Sequence, residues 1–198
     1  MSTRIIVPHR GLEAAKTRLA PMLDADEREA LSAELLGRVL RVAGEAAGDV
    51  VVISPAEPLR TIVEAAGARL VVQRGMGLNA GLDQARAEAL EQGVETLVVL
   101  HGDLPNLRSE DVGRLCGAAQ GSPAVALAPD RAGTGTNGLA LRPPSALAFR
   151  FGAGSFALHV AAAREAGIEP AVVRTPGLGF DLDTPEDLAR WLELGDAA

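Results

Sequence analysis

Thr96-Leu97-Val98-Val99-Leu100-His101-Gly102-Asp103-Leu104-Pro105 is an apolar run that stops at a glycine and an acid. A short run apolar at consecutive positions and bounded by turn residues reads as a strand buried on both faces, the kind found inside parallel sheets. In open α/β sheets ligands gather at the carboxyl ends of strands, so Asp103 is placed to hold a divalent cation. Its other use would be to cap its own loop. Outward from this segment similar runs recur at Arg4 to Val7, Val50 to Ile53, Leu70 to Gln73, Ala124 to Ala128, Gly138 to Leu141 and Ala171 to Arg174.

The stretches between these runs are amphipathic and carry helix punctuation. Asp24 with Glu27 resembles a capping box, and Leu31, Leu35, Val39 and Val42 then form an apolar stripe running towards Gly48. Ser109 opens another helix. Thr184, Pro185 and Asp187 open the last, with Leu188, Trp191 and Leu192 as its buried face. Gly67, Gly93 and Gly167 fit helix C-termini. Strands alternating with helices predict an α/β fold, a three-layer sandwich with a mostly parallel central sheet. The 198 residues, 47% of them hydrophobic, suit one domain over residues 1–198 with one substantial core. The tail Gly195-Asp196-Ala197-Ala198 is expected to fray.

A net charge of −7 and a pI near 5.0 argue against nucleic acid as a partner, because a phosphate backbone calls for a basic face. Anionic ligands would then need a metal ion to help. The single cysteine, Cys116, falls in a predicted helix, cannot form an internal disulfide and reads as a small buried hydrophobe. No signal-peptide pattern and no apolar run of membrane-spanning length is present, so a soluble cytoplasmic protein is expected. A homodimer is left open.

Of nineteen cationic side chains, eighteen are arginine and only Lys16 is lysine. A compact ammonium in a chain that otherwise uses planar guanidinium suggests a point charge chosen for its place, although one residue could be chance. Lys16 lies in a basic segment directly after the first strand, where α/β sheets commonly hold a triphosphate. A second acidic group, Asp181-Leu182-Asp183-Thr184-Pro185, precedes the terminal helix. Residues two apart face the same way in an extended chain, so Asp181 and Asp183 can point together at a site. Asp183 neighbours the Thr184 cap and has a local use, which favours Asp181 as the metal ligand.

Residues 129–137, Pro-Asp-Arg-Ala-Gly-Thr-Gly-Thr-Asn, combine glycines, hydroxyls and Arg131 in a loop suited to an anion, or else in a polar turn between strands. The three histidines show no metal-binding spacing: His101 reads as structural and His9 as a neighbour of phosphate. No nucleophile with its base is evident. A reaction in which an ionised phosphate oxygen attacks phosphorus needs none, since the second pKa of a phosphate monoester is ~6. Gly75-Met76-Gly77-Leu78-Asn79-Ala80 formally matches a dinucleotide fingerprint, which keeps open a dinucleotide-dependent oxidoreductase, and a non-catalytic nucleotide-binding module is the third reading.

Taken in order, Gly11-Leu12 with Ala15-Lys16-Thr17-Arg18-Leu19-Ala20, Gly77-Leu78-Asn79-Ala80, Gly102-Asp103-Leu104-Pro105, Pro129-Asp130-Arg131 with Gly133-Thr134-Gly135-Thr136-Asn137, Phe151-Gly152 with Ser155-Phe156, and Asp181-Leu182-Asp183-Thr184-Pro185 resemble the guanylyltransferases of coenzyme F-420 biosynthesis. These are a branch of the nucleotidyltransferases that includes the molybdopterin enzymes. The resemblance implies a nucleotide-diphospho-sugar transferase-like, Rossmann-like fold. It implies GTP and magnesium as ligands, and attack by a small phosphorylated three-carbon acid on the α-phosphorus with release of pyrophosphate. That acid would be phosphoenolpyruvate, 2-phospho-L-lactate or 3-phospho-D-glycerate. By position, Asp103 and Asp181 would hold the metal, Gly11, Lys16 and Arg18 would meet the nucleotide, and Asn79 would lie near the nucleoside. Thr136, Gly152 and Ser155 would hold the acceptor. His9-Arg10 stands where many relatives have a lysine, and a molybdopterin or sugar-phosphate nucleotidyltransferase is the sister-branch alternative.

Overall fold

The computed structural model describes residues 2–195, so the tail at 196–198 lies outside the described residues. All seven expected strands form one sheet: β1 (Thr3–Pro8), β2 (Val50–Ser54), β3 (Arg69–Val72), β4 (Thr96–Leu100), β5 (Ala124–Pro129), β6 (Thr136–Arg142) and β7 (Ala171–Val172). Their order is β3-β2-β1-β4-β6-β5-β7. The recorded pairings are parallel except those of β6, which runs antiparallel to both β4 and β5.

Alternate strand residues feed two apolar layers, which is why the strands look apolar throughout. Ile5, Val7, Val98 and Leu100 pack on one face with α1 (Ala25–Ala47), α2 (Arg60–Ala65) and α4 (Ser109–Ala118). Ile6, Leu97 and Val99 pack on the other with α3 (Leu78–Glu91) and α5 (Ser155–Glu165). The three-layer sandwich is therefore the observed architecture. Asp24 and Glu27 form a reciprocal capping box at the start of α1, and Gly48 ends it in the left-handed region.

Strand ends differ from the sequence reading for local reasons. β6 begins at Thr136 rather than Gly138, so Thr136 and Asn137 are part of the sheet. β7 stops at Val172, because Thr175 turns the chain by capping α6 (Pro176–Gly179), a four-residue helix signalled by Thr-Pro. In α7 (Pro185–Gly195), Leu188 is buried and Trp191 packs against the core, but Leu192 is 56% exposed and does not belong to the buried face.

A third, small cluster matters most for the site. Leu19, which follows the loop after β1, meets Leu35 of α1, Leu182 of the C-terminal segment and Leu188 of α7. This cluster fastens two distant parts of the chain to α1. Leu182→Ala should therefore lower stability by about 2–4 kcal/mol, measured by urea unfolding, since a buried leucine is lost from a filled site. A loss below ~1 kcal/mol would show that the C-terminal segment is held elsewhere.

Candidate active site

The strand order reverses between β1 and β4: β2 and β3 extend the sheet to one side and β4 begins the other. The loops after β1 and β4 splay apart at such a point and leave a crevice. A cleft of about 630 Å³ opens there, lined by residues that include His9, Lys16, Arg18, Gly77, His101, Asp103 and Asp183. At its floor the Lys16 ammonium, 5% exposed, lies 2.7 Å from Asp103 Oδ2 and 3.0 Å from Asp183 Oδ1.

Local structure explains why Lys16 reaches so far in. Its backbone sits at φ 54°, the only non-glycine residue in the left-handed region among the described residues. Such a conformation costs about 1–3 kcal/mol in an L-residue and persists where its surroundings determine it. Gly11 permits the preceding bend: at φ +105° an added Cβ would meet the Ala56 Cβ at 2.9 Å. Gly11 thus shapes the loop, and its N–H donates to His9 Nδ1 at 3.0 Å. Arg18 stands at the rim, 73% exposed and 3.9 Å from Asp183.

The C-terminal segment is stitched to β4, with the Leu182 N–H donating to the Asp103 carbonyl at 3.1 Å. Phe180 and Leu182 are buried while Asp181 and Asp183 are partly open, the period-two pattern expected of an extended chain. The ground for preferring Asp181, that Asp183 serves the helix, differs from what is seen: Asp187 is the acid engaged with Thr184. Thr184 caps α7 through the Asp187 N–H at 3.2 Å, and Asp187 accepts from Thr184 in return, so the Asp183 carboxylate is left for Lys16. Asp181 accepts instead from Asn137 Nδ2 at 3.1 Å.

These contacts push neighbouring groups in opposite directions. Burial alone would lower the Lys16 pKa, but the carboxylates of Asp103 and Asp183 outweigh it and hold the ammonium above its ordinary range. Burial would likewise raise Asp103, yet Lys16 and His101 keep it below the usual carboxylate value. Asp181 is raised, by burial first and then by the charges of Asp103 and Asp183, against the Asn137 hydrogen bond. Asp103 Oδ1 is buried without a hydrogen-bond partner, as is His101 Nε2. Among the described residues no three acidic, histidine or cysteine side chains are arranged as a ligand set for one ion.

On the other side of β4 lies a second group. Thr136 and Ser155 are buried at 1% and 2% exposure, whereas Gly152, at φ +136°, is open to solvent. None of the three lines the cleft. Asn79 also lies outside its lining; its amide is engaged with the backbone of Phe151. The glycine-threonine loop spends two of its N–H groups, Thr134 and Gly135, on its own Asp130. Arg131 pairs with Asp187 at 3.0 Å and faces a separate pocket of about 420 Å³ with Arg174, Arg190 and Phe180. The anion suggested by that run is thus, for those two donors, an internal carboxylate.

Sheet order and cleft together define an open α/β protein with a ligand crevice at its switch point. The crystal structure of a protein assigned as a nucleotide-diphospho-sugar transferase from Desulfovibrio desulfuricans G20 superposes with a TM-score of 0.82 over 98% of this chain and 88% of its own, at 21% identity. A 4-diphosphocytidyl-2C-methyl-D-erythritol synthase gives 0.67 over 98% of both chains at 16% identity. These likenesses establish the fold.

Residues 3–197 match the family described as guanylyl transferase CofC like, and the chain belongs to that family. It is 42% identical over 191 residues to a phosphoenolpyruvate guanylyltransferase of Rubrobacter xylanophilus, covering 96% of this chain and 93% of the relative. It is 43% identical over 190 residues to one of Sphaerobacter thermophilus, covering 95% and 91%. The chain is accordingly a nucleotidyltransferase, and the dinucleotide reading of Gly75 to Ala80 falls away. That turn follows β3 at the sheet edge, with Gln73 donating to the carbonyls of Gly75 and Gly77 at 2.6 and 2.9 Å.

Sequence reasoning did not single out His159, which is fully buried and has its pKa lowered to about 4 by burial and then by the Arg150 charge. Between about 4 and 6.5 the unfolded chain binds a proton that the folded ring refuses, so the stability this group contributes is complete above pH 6.5 and lost as pH falls towards 4. Wild type should lose about 1–2 kcal/mol more than His159→Gln between pH 7 and pH 5 in urea titrations. Equal losses would mean that the ring is protonated in the fold.

Proposed function

We propose that this guanylyltransferase uses phosphoenolpyruvate as its acceptor, in the biosynthesis of coenzyme F-420, and that the cleft holds GTP with magnesium. The names of the relatives from Rubrobacter xylanophilus and Sphaerobacter thermophilus support the acceptor. The observation that carries the site is the buried ammonium of Lys16 between two carboxylates at the switch point of the sheet.

The acceptor phosphate oxygen forms a bond to the α-phosphorus of GTP, the bond from that phosphorus to the bridging oxygen breaks, and pyrophosphate leaves with the electron pair. An ionised phosphate needs no base, so the chain contributes position and charge. Lys16 and Arg18 meet the triphosphate, Gly11 shapes the loop that carries them, and Asn79 holds the backbone of Phe151 beside the acceptor region. Thr136, Gly152 and Ser155 frame the acceptor.

Magnesium fits the donors available: carboxylate oxygens are its hard ligands, and Asp103 Oδ1 is buried with no partner. Asp103 with Asp181 would hold it, and Asp183 adds a further carboxylate beside Lys16. Magnesium commonly uses one or two carboxylates plus substrate phosphates, so a complete protein cage is not required. When bound, the ion would neutralise charge on the phosphates. No helix among the described residues is long and apolar enough to cross a membrane.

Incubation with GTP, magnesium and each of phosphoenolpyruvate, 2-phospho-L-lactate and 3-phospho-D-glycerate, followed by pyrophosphate detection and product mass, should give turnover with phosphoenolpyruvate. Asp103→Asn and Asp181→Asn should each lower that turnover by on the order of 10²-fold or more. Turnover only with another acid overturns the acceptor, and full turnover in both variants overturns the site.

A further inference from the structure

The backbone of residues 147–151 is held by side chains from two helices on the same layer of the sandwich. From α3, Asn79 donates through Nδ2 to the Phe151 carbonyl at 3.0 Å, and its Oδ1 accepts the Phe151 N–H at 3.0 Å. This pair imitates a strand ladder, using both hydrogen-bonding groups of one residue. Two turns further along α3, Arg86 donates to the Leu147 carbonyl at 2.8 Å and lies 4.7 Å from the centre of the Phe149 ring.

From α5, His159 closes the clamp. The Arg150 N–H donates to His159 Nε2 at 3.0 Å, so that nitrogen carries no proton. In the neutral ring the proton then resides on Nδ1 and points at Thr136 Oγ1, 3.0 Å away. One buried imidazole therefore ties the start of β6 to the loop that leads into Gly152. The Phe151 ring packs edge-on against His159 at 4.9 Å and lies 5.8 Å from His101 at the end of β4, so the clamp reaches the wall of the cleft.

We infer that Asn79 and His159 are positioning residues which clamp the Arg150–Phe151 backbone from α3 and α5 and so fix the acceptor loop relative to the nucleotide cleft. This rests on the reading of Thr136, Gly152 and Ser155 as the acceptor region. Asn79 spends one donor and one acceptor of its amide on Phe151 and lies outside the cleft lining, so its effect on the reaction is assigned to that loop. His159 reaches two of the three acceptor elements with one ring: Thr136 directly, and Gly152 through the backbone two residues before it.

The test is steady-state kinetics with GTP and phosphoenolpyruvate varied separately, on variants whose folding is verified by urea unfolding. Asn79→Ala and His159→Leu should each raise KM for the acceptor by about tenfold or more, with KM for GTP within about twofold of wild type. In His159→Gln, an amide oxygen that accepts the Arg150 N–H should recover part of the acceptor KM. Gly152→Ala perturbs the loop directly and serves as the reference. If Gly152→Ala leaves the acceptor KM unchanged, the acceptor region itself is misplaced. If Gly152→Ala acts while Asn79→Ala and His159→Leu do not, the clamp is overturned. A rise in KM for GTP alone in Asn79→Ala would also overturn it, returning that residue to the nucleoside.

Discussion

The whole arrangement hangs on one ammonium group shared between two carboxylates. Lys16 comes from the loop after β1, Asp103 from the end of β4 and Asp183 from the segment before α7, and their contacts of 2.7 and 3.0 Å join three regions far apart in sequence. Burying such charges is costly, and removing one member of a buried pair commonly destabilises by about 3–5 kcal/mol. Here the exposure of Asp183 at 42% moderates both the cost and the strength. The apolar cluster of Leu19, Leu35, Leu182 and Leu188 supplies non-directional attachment, and the charges set the register.

The sheet separates the chemistry into two neighbourhoods. Its parallel half, β3-β2-β1-β4, opens the crevice that contains Lys16 and Asp103. Antiparallel β6 then brings Thr136 and Asn137 beside the end of β4, with the His101 N–H donating to the Asn137 carbonyl at 3.0 Å. Asn137 also donates to Asp181 and to the Leu178 carbonyl, so the same side chain braces the acidic segment. A donor nucleotide and an acceptor acid can thus occupy adjoining spaces while each is framed by different elements.

Much of the fold was legible because strands buried on both faces leave unbroken apolar runs, as in Thr96 to Leu100. Lys16 stood out through composition, as the one lysine among eighteen arginines. Asp183 was harder, because on sequence alone it neighbours the Thr184 cap and has a local use there; only the fold shows Asp187 as the acid engaged with Thr184. Leu192 fitted the helical period but extends past the apolar cluster. His159 gave no signal, since a histidine within an apolar helix looks the same whether it fills space or joins two segments. Asn79 was marked as a site residue, yet its partner lies 72 residues away and could not be read from its own turn.

Hydrogen exchange on the full chain, with and without GTP and magnesium, tests most directly whether the shared ammonium marks the nucleotide site. Slowed exchange should appear together in residues 9–20, 101–105 and 180–184, the three stretches that Lys16, Asp103 and Asp183 join. Protection absent from these stretches and confined to the pocket of Arg131, Arg174 and Arg190 would contradict it.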